Sequence, residues 1–249
     1  MSEVGDAVAD ARVGDRIAIN SLFFCGKCFF CRRGMDNLCE NRVIFGKKTG
    51  AYAEYAVIPE AAAIKLPDQL SFEEAALLEP LGVAVHAVDQ GSPRPGEFAA
   101  VLGCGPIGLM ALKYLTIISA LTMATEVNES RIKLAENVAG GAKIVNAAKE
   151  NAVERILELT NRRGADFVLE ATGNEEVMQQ ALEITRSGGR IVTIGTFANP
   201  IPMDVFFKLS RKELKLFGSL GRTWADWHRA IDLLAHHKLE IKSIITHTF

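Results

Sequence analysis

Four cysteines lie close together in the chain at a spacing that suits a metal ion. Cys25, Cys28, Cys31 and Cys39 form the pattern C-x2-C-x2-C-x7-C within the segment CGKCFFCRRGMDNLC. Four thiolates can complete a tetrahedral zinc site, which leaves no coordination position for a substrate. The spacing therefore predicts a structural zinc that holds together a loop without a hydrophobic core of its own.

Two other interpretations of these cysteines stay open. An iron–sulfur cluster shares the first two spacings, but the third spacing is longer than in ferredoxins and no Cys-Pro follows. Disulfides suit the segment less well, because cysteines this close in sequence meet disulfide geometry with difficulty. Lys27, Arg32 and Arg33 lie among the cysteines, where their charges would offset that of a tetrathiolate.

A second segment predicts a dinucleotide-binding site. The apolar run Phe98–Leu102 is followed by the pattern G-x-G-x-x-G, formed by Gly103, Gly105 and Gly108. The first glycine permits a tight turn, the second lets the backbone approach a pyrophosphate, and the third lets a helix pack on a strand. The helix that follows presents free N–H groups at its first turn, where a phosphate can bind.

The residue that would select the nucleotide is Glu126, which ends a second apolar run from Ala120 to Thr125. Its carboxylate would accept hydrogen bonds from a ribose diol and repel a 2′-phosphate, so NAD is favoured over NADP. The order of strand, glycine turn, helix, strand and acid is the context that this motif requires. A structural α/β unit without ligand remains an alternative. The stretch from Phe98 to Glu126 is also long enough to span a membrane as a helix, but glycines, Pro106 and Lys113 interrupt its apolar character.

Composition and charge describe an ordinary globular protein. The chain has 249 residues, 49% of them hydrophobic, with a net charge of −2. That length allows two domains, and the charge gives no reason to expect nucleic acid or an anionic membrane as a partner. No secretory signal pattern opens the sequence. The clustered cysteines favour metal binding in a reducing cytoplasm over a disulfide framework.

The first third of the chain is predicted to be β-rich. Strands are expected at residues 17–20 and in the alternating segment Ala51–Ile58, which Pro59 ends. Ser71 and Glu74 form a capping box that opens a helix. Glu79-Pro80 is expected to interrupt this helix, which resumes to Val88. We predict domain boundaries of 1–88 for the β-rich domain, 89–225 for an α/β domain, and 226–249 for a segment returning to the first domain.

Strand and helix patterns alternate after Glu126 and predict a doubly wound parallel sheet. One of these strands is expected over Arg190–Gly195, after a helix that Gly188-Gly189 closes. Ligands of such sheets bind at the carboxyl ends of the strands. The candidate cofactor-binding residues are Gly103, Gly105, Pro106, Ile107, Gly108, Glu126, Arg131, Thr172, Gly173, Ile194, Gly195, Ser219 and Leu220.

The sequence resembles the zinc-containing medium-chain alcohol dehydrogenases, and among them the sorbitol and threonine dehydrogenase branch. The matching segments follow the family order over nearly the whole chain. They are Val13-Gly14-Asp15-Arg16, CGKCFFCRRGMDNLC, Ala53-Glu54-Tyr55, Leu78-Glu79-Pro80-Leu81, GCGPIG, EATG and GGRIVTIG. The resemblance implies a GroES-like catalytic domain, here partial, together with a Rossmann domain that binds NAD.

The resemblance also implies a catalytic zinc that acidifies the hydroxyl of a polyol or other secondary alcohol during hydride transfer. Glu79 matches a position that can serve as a ligand of this zinc in the polyol branch; alternatively it is a carboxylate that only accepts backbone N–H groups. His86 lies seven residues further on, and a hydrogen-bonded helix histidine is the favoured interpretation of it. The other family ligands, a cysteine and a Gly-His-Glu segment, precede the first residue of this chain.

We therefore expect a fragment shortened at both ends, with an incomplete catalytic zinc site. Two rival functions remain: a zinc-free quinone reductase, and a non-catalytic module that binds a nucleotide or a partner. The resemblance further implies a homodimer or homotetramer, in which residues 212–220 pair across a two-fold axis.

Overall fold

The computed structural model describes residues 1–44, 52–118 and 121–247. These residues contain ten strands: β1 (Ile17–Ile19), β2 (Leu22–Phe23), β3 (Val43–Ile44), β4 (Ala63–Lys65), β5 (Phe98–Leu102), β6 (Leu121–Glu126), β7 (Lys143–Asn146), β8 (Ala165–Glu170), β9 (Thr185–Thr193) and β10 (Lys215–Gly218). They also contain six α-helices: α1 (Phe72–Gly91), α2 (Pro106–Ile118), α3 (Glu129–Val138), α4 (Ala152–Leu159), α5 (Glu175–Ile184) and α6 (Trp224–Ala235). Within these described ranges, no helix has the length and apolar character needed to cross a membrane.

The chain divides into two compact units, each of which is built from two segments. One unit comprises Met1–Gly82 and Gly221–Lys242, and the other comprises Val83–Leu220 and Ser243–Phe249. Helix α1 contributes residues to both units. The domain boundaries expected from the sequence, at residues 88 and 225, stay a prediction.

The second unit contains a six-stranded parallel sheet with the order β10-β9-β8-β5-β6-β7. This is the doubly wound Rossmann order, in which the strand order reverses between β5 and β8. The predicted fold class is confirmed. Strands β5 and β8 are buried along their whole length, as expected for central strands with helices on both faces. The carboxyl ends of these two strands flank the point where such sheets bind ligands.

The first unit holds two short antiparallel pairs, β1 with β4 and β2 with β3. Short 3-10 helices at Cys31–Arg33 and Asp36–Leu38 bring the cysteine segment into a compact loop. The strand expected over Ala51–Ile58 is wrong for residues 52–58, which form bends and irregular structure. Ala51 itself lies outside the described residues.

Helix α1 begins with the predicted capping box. The Glu74 carboxylate accepts hydrogen bonds from the Ser71 N–H at 2.9 Å and from the Ser71 hydroxyl at 2.8 Å. The Glu74 N–H donates to the Ser71 hydroxyl oxygen at 3.2 Å. The expected interruption at Pro80 is wrong, because one helix of 20 residues continues through this proline. Complete burial of Leu78, Leu81 and Val85 around Pro80 offsets the backbone hydrogen bond that a proline removes.

Candidate functional site

The four cysteines of the first unit converge on one point. Their sulfur atoms all lie within 4.8 Å of one another. Cys28 Sγ lies 3.5 Å from Cys31 Sγ and 4.0 Å from Cys39 Sγ, and Cys25 Sγ lies 4.0 Å from Cys31 Sγ. A zinc ion with Zn–S bonds of about 2.3 Å requires sulfurs about 3.8 Å apart at tetrahedral angles. The donor set therefore fits a structural zinc, and these separations are too long for disulfide bonds.

The electrostatics of this cluster also favour a bound cation. Backbone N–H groups of Lys27 and Cys28 point at the Cys25 sulfur and lower the pKa of Cys25 to about 6. Burial and the neighbouring thiols raise the pKa of Cys31 to about 12. Four thiolates so close together repel one another, and a metal ion between them stabilises all four deprotonated forms at once. Of the basic neighbours, Arg33 instead stacks on the Phe29 ring, with its guanidinium carbon 3.7 Å from the centroid.

The glycine loop of the second unit has the geometry that the motif predicts. Gly103 follows β5 with a φ of 101°, a conformation that side chains rarely adopt. A Cβ on Gly108 would lie 2.1 Å from the Gly103 carbonyl oxygen, so only glycine permits this contact between α2 and the loop. A Cβ on Gly105 would meet no described atom within 4 Å. Open space therefore faces Gly105 at the start of α2, where Pro106 and Ile107 begin the helix.

Glu126 ends β6 as predicted, but its carboxylate faces the loop. It is buried, and Oε2 accepts a hydrogen bond from the Cys104 N–H at 3.0 Å. Oε1 accepts from the N–H groups of Val127 at 2.8 Å and Asn128 at 3.0 Å. Arg131 Nη1 lies 3.8 Å from Oε2. The Glu126 carboxylate thus holds the glycine loop in place. The neighbouring guanidinium of Arg131 is a group that can contact a phosphate on the ribose.

The remaining predicted cofactor residues lie along the same edge of the sheet. The Ala171 N–H donates to the Leu102 carbonyl at 3.0 Å, which joins the segments that leave β8 and β5. The Ile194 N–H donates to the Glu170 carbonyl, and the Ser219 N–H donates to the Thr193 carbonyl, both at 3.0 Å. These bonds bring the residues after four strands to one edge. Members of this row are Gly103, Thr172, Gly173, Ile194, Gly195, Ser219 and Leu220.

Comparisons with known proteins identify the family of the chain. Residues 106–236 match the model of the zinc-binding dehydrogenase family, and residues 1–68 match the alcohol dehydrogenase GroES-like domain. The chain is 35% identical over 250 residues to an L-threonine 3-dehydrogenase of Pyrococcus furiosus, covering 99% of this chain and 71% of that protein. It belongs to the zinc-dependent medium-chain alcohol dehydrogenase family.

Two further similar proteins support the assignment of this dehydrogenase to the family. The chain is 33% identical to a sorbitol dehydrogenase of Bacillus subtilis, and the match covers 99% of this chain and 70% of that protein. Among solved structures, one of a protein provisionally classed as a zinc-binding dehydrogenase, from Sinorhizobium meliloti 1021 and bound to NADP, matches with a TM-score of 0.88 and 30% identity. That match covers 96% of this chain and 70% of the other. The predicted family and enzyme class are confirmed.

The catalytic zinc that this dehydrogenase family implies does not fit the described residues. Glu79, the candidate ligand, forms an ion pair of 2.8 Å with Arg222 Nη1. In the described ranges, the one group of three or more His, Cys, Asp or Glu residues close enough to hold a metal is the cysteine cluster. His86 is buried, and its Nε2 lies 3.4 Å from Gln90 Nε2, in agreement with a hydrogen-bonded helix histidine. The described residues therefore do not supply a complete ligand set for a catalytic metal.

Sequence reasoning missed Arg222, which is the largest charged side chain in the buried interior of the first unit. It is 2% exposed and its pKa is lowered by burial, which the charge of Glu79 opposes. Arg222 Nη2 donates to Ser21 Oγ at 3.0 Å and to Asn20 Oδ1 at 3.3 Å. No local signal identifies it, because its partners lie up to 202 positions away in sequence.

Proposed function

We propose that this dehydrogenase binds NAD at the carboxyl edge of its parallel sheet and takes part in hydride transfer from a polyol or another secondary alcohol. The observation that carries the proposal is the loop from Gly103 to Gly108. Its first glycine has a positive φ, its third contacts the loop backbone, and open space faces its second. The N–H groups of Ile107 and Gly108 fall in the first turn of α2, where the helix itself offers no acceptor and where a pyrophosphate binds.

The direct test is a fluorescence titration of the full chain with NADH and, separately, with NADPH. We expect tighter binding of NADH, because the Glu126 carboxylate would repel a 2′-phosphate. Glu126→Gln should reduce this preference while its amide oxygen still accepts the Cys104 N–H. An unchanged ratio of affinities would refute the role of Glu126. Arg131→Ala is the matched variant. This substitution should weaken the binding of NADPH selectively if the Arg131 guanidinium contacts a 2′-phosphate.

We also propose that Cys25, Cys28, Cys31 and Cys39 hold one structural zinc. Metal analysis of the purified chain should give one zinc per chain. Cys28→Ser should lower this value, because it removes one of four ligands from a site that has no spare donor. Cys104→Ser is the matched control, since Cys104 is buried in the glycine loop and outside the cluster. Equal zinc content in all three proteins would contradict the assignment.

The substrate class is argued from the relatives, an L-threonine 3-dehydrogenase and a sorbitol dehydrogenase. Both names describe the oxidation of an alcohol on a small polar molecule. We propose that the substrate of this chain is of that kind. The test measures reduction of NAD with L-threonine, sorbitol and simple secondary alcohols. Binding of NADH without oxidation of any of these alcohols would favour the non-catalytic nucleotide-binding module instead.

A homodimer through β10 is the oligomer that we propose. Strand β10 lies at one edge of the sheet and pairs with β9 alone among the described strands. Exposed Leu216 on this strand and exposed Phe206 and Phe207 before it supply apolar surface. An unpaired strand edge of this kind readily pairs with another chain. Sedimentation equilibrium should give a dimer that Leu216→Lys weakens; a monomeric chain would refute the proposal.

A further inference from the structure

Glu170 is a buried carboxylate at the cofactor edge to which no role has yet been assigned. It is the last residue of β8 and has 0% solvent exposure. Burying a carboxylate is costly unless hydrogen bonds compensate the lost hydration. The partners of its two oxygens therefore indicate what the residue does.

One oxygen of Glu170 fixes the turn that follows β8. Oε1 accepts hydrogen bonds from the Thr172 N–H at 2.7 Å and from the Gly173 N–H at 3.0 Å. The Thr172 hydroxyl donates to the same oxygen. Hydrogen bonds to a carboxylate are stronger than those between neutral groups. Three donors on one oxygen hold the Thr172–Gly173 turn in a single position relative to the sheet.

This turn packs directly on the first glycine of the dinucleotide loop. A Cβ on Gly103 would lie 2.7 Å from the Thr172 Cγ2 methyl. A Cβ on Gly108, the third glycine, would lie 3.6 Å from Ala171 Cβ. Any displacement of the Thr172–Gly173 turn therefore changes the contacts of the loop that faces the open space at Gly105.

The other oxygen of Glu170 faces the segment after β9. Oε2 is buried without a hydrogen-bond partner among the described residues. A Cβ on Gly195 would lie 2.5 Å from Oε2 and 2.2 Å from the Gly173 nitrogen. Glu170 therefore lies where the segments after β5, β8 and β9 meet.

We propose that Glu170 is a positioning residue for the dinucleotide: it sets the Thr172–Gly173 turn against the Gly103 loop at the spacing that a nicotinamide dinucleotide requires. The inference rests on the proposed function, since it needs the cofactor to bind at this edge. Glu170 acts through Thr172 and Gly173, and its own side chain lies beneath the backbone that would contact the ligand.

The test compares NADH affinity in Glu170→Ala and Glu170→Gln, each confirmed as folded by circular dichroism. Glu170→Ala leaves three donors without their acceptor and should weaken NADH binding at least tenfold. Glu170→Gln keeps an oxygen for the same donors, so its affinity should stay within about threefold of the unchanged chain; hydrogen bonds between neutral groups are weaker but retain the geometry. This rescue by the amide distinguishes positioning from a requirement for charge.

Asp166 provides a matched control at the opposite end of the same strand. Its carboxylate accepts hydrogen bonds from the Phe98 N–H at 2.8 Å and from Arg186 Nε at 2.5 Å. Asp166→Ala removes a comparable set of bonds far from the strand ends that carry the glycine loop. We expect this variant to lose stability and to bind NADH normally.

Three results of these affinity measurements would overturn the positioning role of Glu170. Affinity of folded Glu170→Ala within threefold of the unchanged chain would overturn the proposal, as would an equal loss in Asp166→Ala. If Glu170→Ala does not fold, Thr172→Val replaces it, because valine removes one donor and keeps a methyl against Gly103; unchanged affinity there would also overturn the proposal. Failure of the unchanged chain to bind NADH refutes the proposed cofactor site itself, and the positioning role with it.

Discussion

The ion pair between Glu79 and Arg222 predicts a large effect of a small substitution. Glu79→Gln removes the negative charge and leaves the buried guanidinium of Arg222 with only the neutral oxygens of Ser21 and Asn20. Arg222 is 2% exposed, whereas the Glu79 side chain is 43% exposed. Breaking a fully buried pair costs about 3–5 kcal/mol, and an exposed pair contributes about 0–1 kcal/mol. We expect a loss of about 2 kcal/mol, between these limits.

Urea unfolding, followed by tryptophan fluorescence, measures this change. Trp227 reports on the site, because the Arg222 guanidinium carbon lies 4.9 Å from the centroid of its ring. With a slope of about 2 kcal/mol per molar urea, the midpoint should fall by about 1 M. Arg222→Met should cost less than Glu79→Gln, because the Glu79 carboxylate left behind can be hydrated.

The double variant completes the test. Adding Arg222→Met to Glu79→Gln should recover stability, since no buried charge then remains unpaired. Zinc content should not change in any of these proteins, because the cysteine cluster does not include Glu79. A loss below about 0.5 kcal/mol in Glu79→Gln, which is the range of ordinary surface substitutions, would refute the reasoning. A lower zinc content would instead indicate that Glu79 is a ligand.

Two further predictions concern the second unit. Gly108→Ala places a Cβ 2.1 Å from the Gly103 carbonyl oxygen and should cost about 2 kcal/mol or more by overpacking. Gly5→Ala, at an exposed position where a Cβ meets no described atom within 4 Å, is the control for thermal melting. Burial alone would raise the pKa of Asp166, but hydrogen bonds from Arg186 and Phe98 outweigh burial and lower it below its ordinary 3.8. Its contribution to stability is therefore complete at neutral pH and is lost as the pH falls below about 4. At pH 7, Asp166→Asn should have a lower free energy of unfolding than the unchanged chain, and this free energy should fall less steeply below pH 4. Parallel plots of unfolding free energy against pH for the two proteins would contradict this.

Local spacing identified both candidate sites because their chemistry is carried by residues near one another in sequence. The four cysteines lie in one loop and the three glycines lie in one turn. Their spacing in the sequence therefore largely determines how they are arranged in space. The start of β9 was not predictable in this way. Its expected beginning at Arg190 followed from Gly188-Gly189 as a helix end, yet the strand begins at Thr185, which pairs with Ala165 before an irregularity in the ladder. Glycines inside a strand often mark such irregularities.

Long-range contacts account for the other differences. The alternation of residue types over residues 52–58 is typical of a strand with one buried face. A strand also needs a neighbouring strand that completes its backbone hydrogen bonds. Tyr52, Tyr55 and Val57 are exposed, and no described strand pairs with them. Glu170 was missed although an acid ends β8 as Glu126 ends β6. Its role depends on Gly195 and Gly103, which other strands bring to it.

The division of the first unit into two chain segments has a consequence for synthesis. Ribosomes release the cysteine loop early, whereas Arg222 and α6, which complete this unit, are translated only after all six strands of the second unit. Domains generally fold as units while the chain is being made. The nascent chain therefore contains the four cysteines of the cluster well before Arg222 and α6 are made, and a metal ion bound at that stage would hold the loop before its unit is complete.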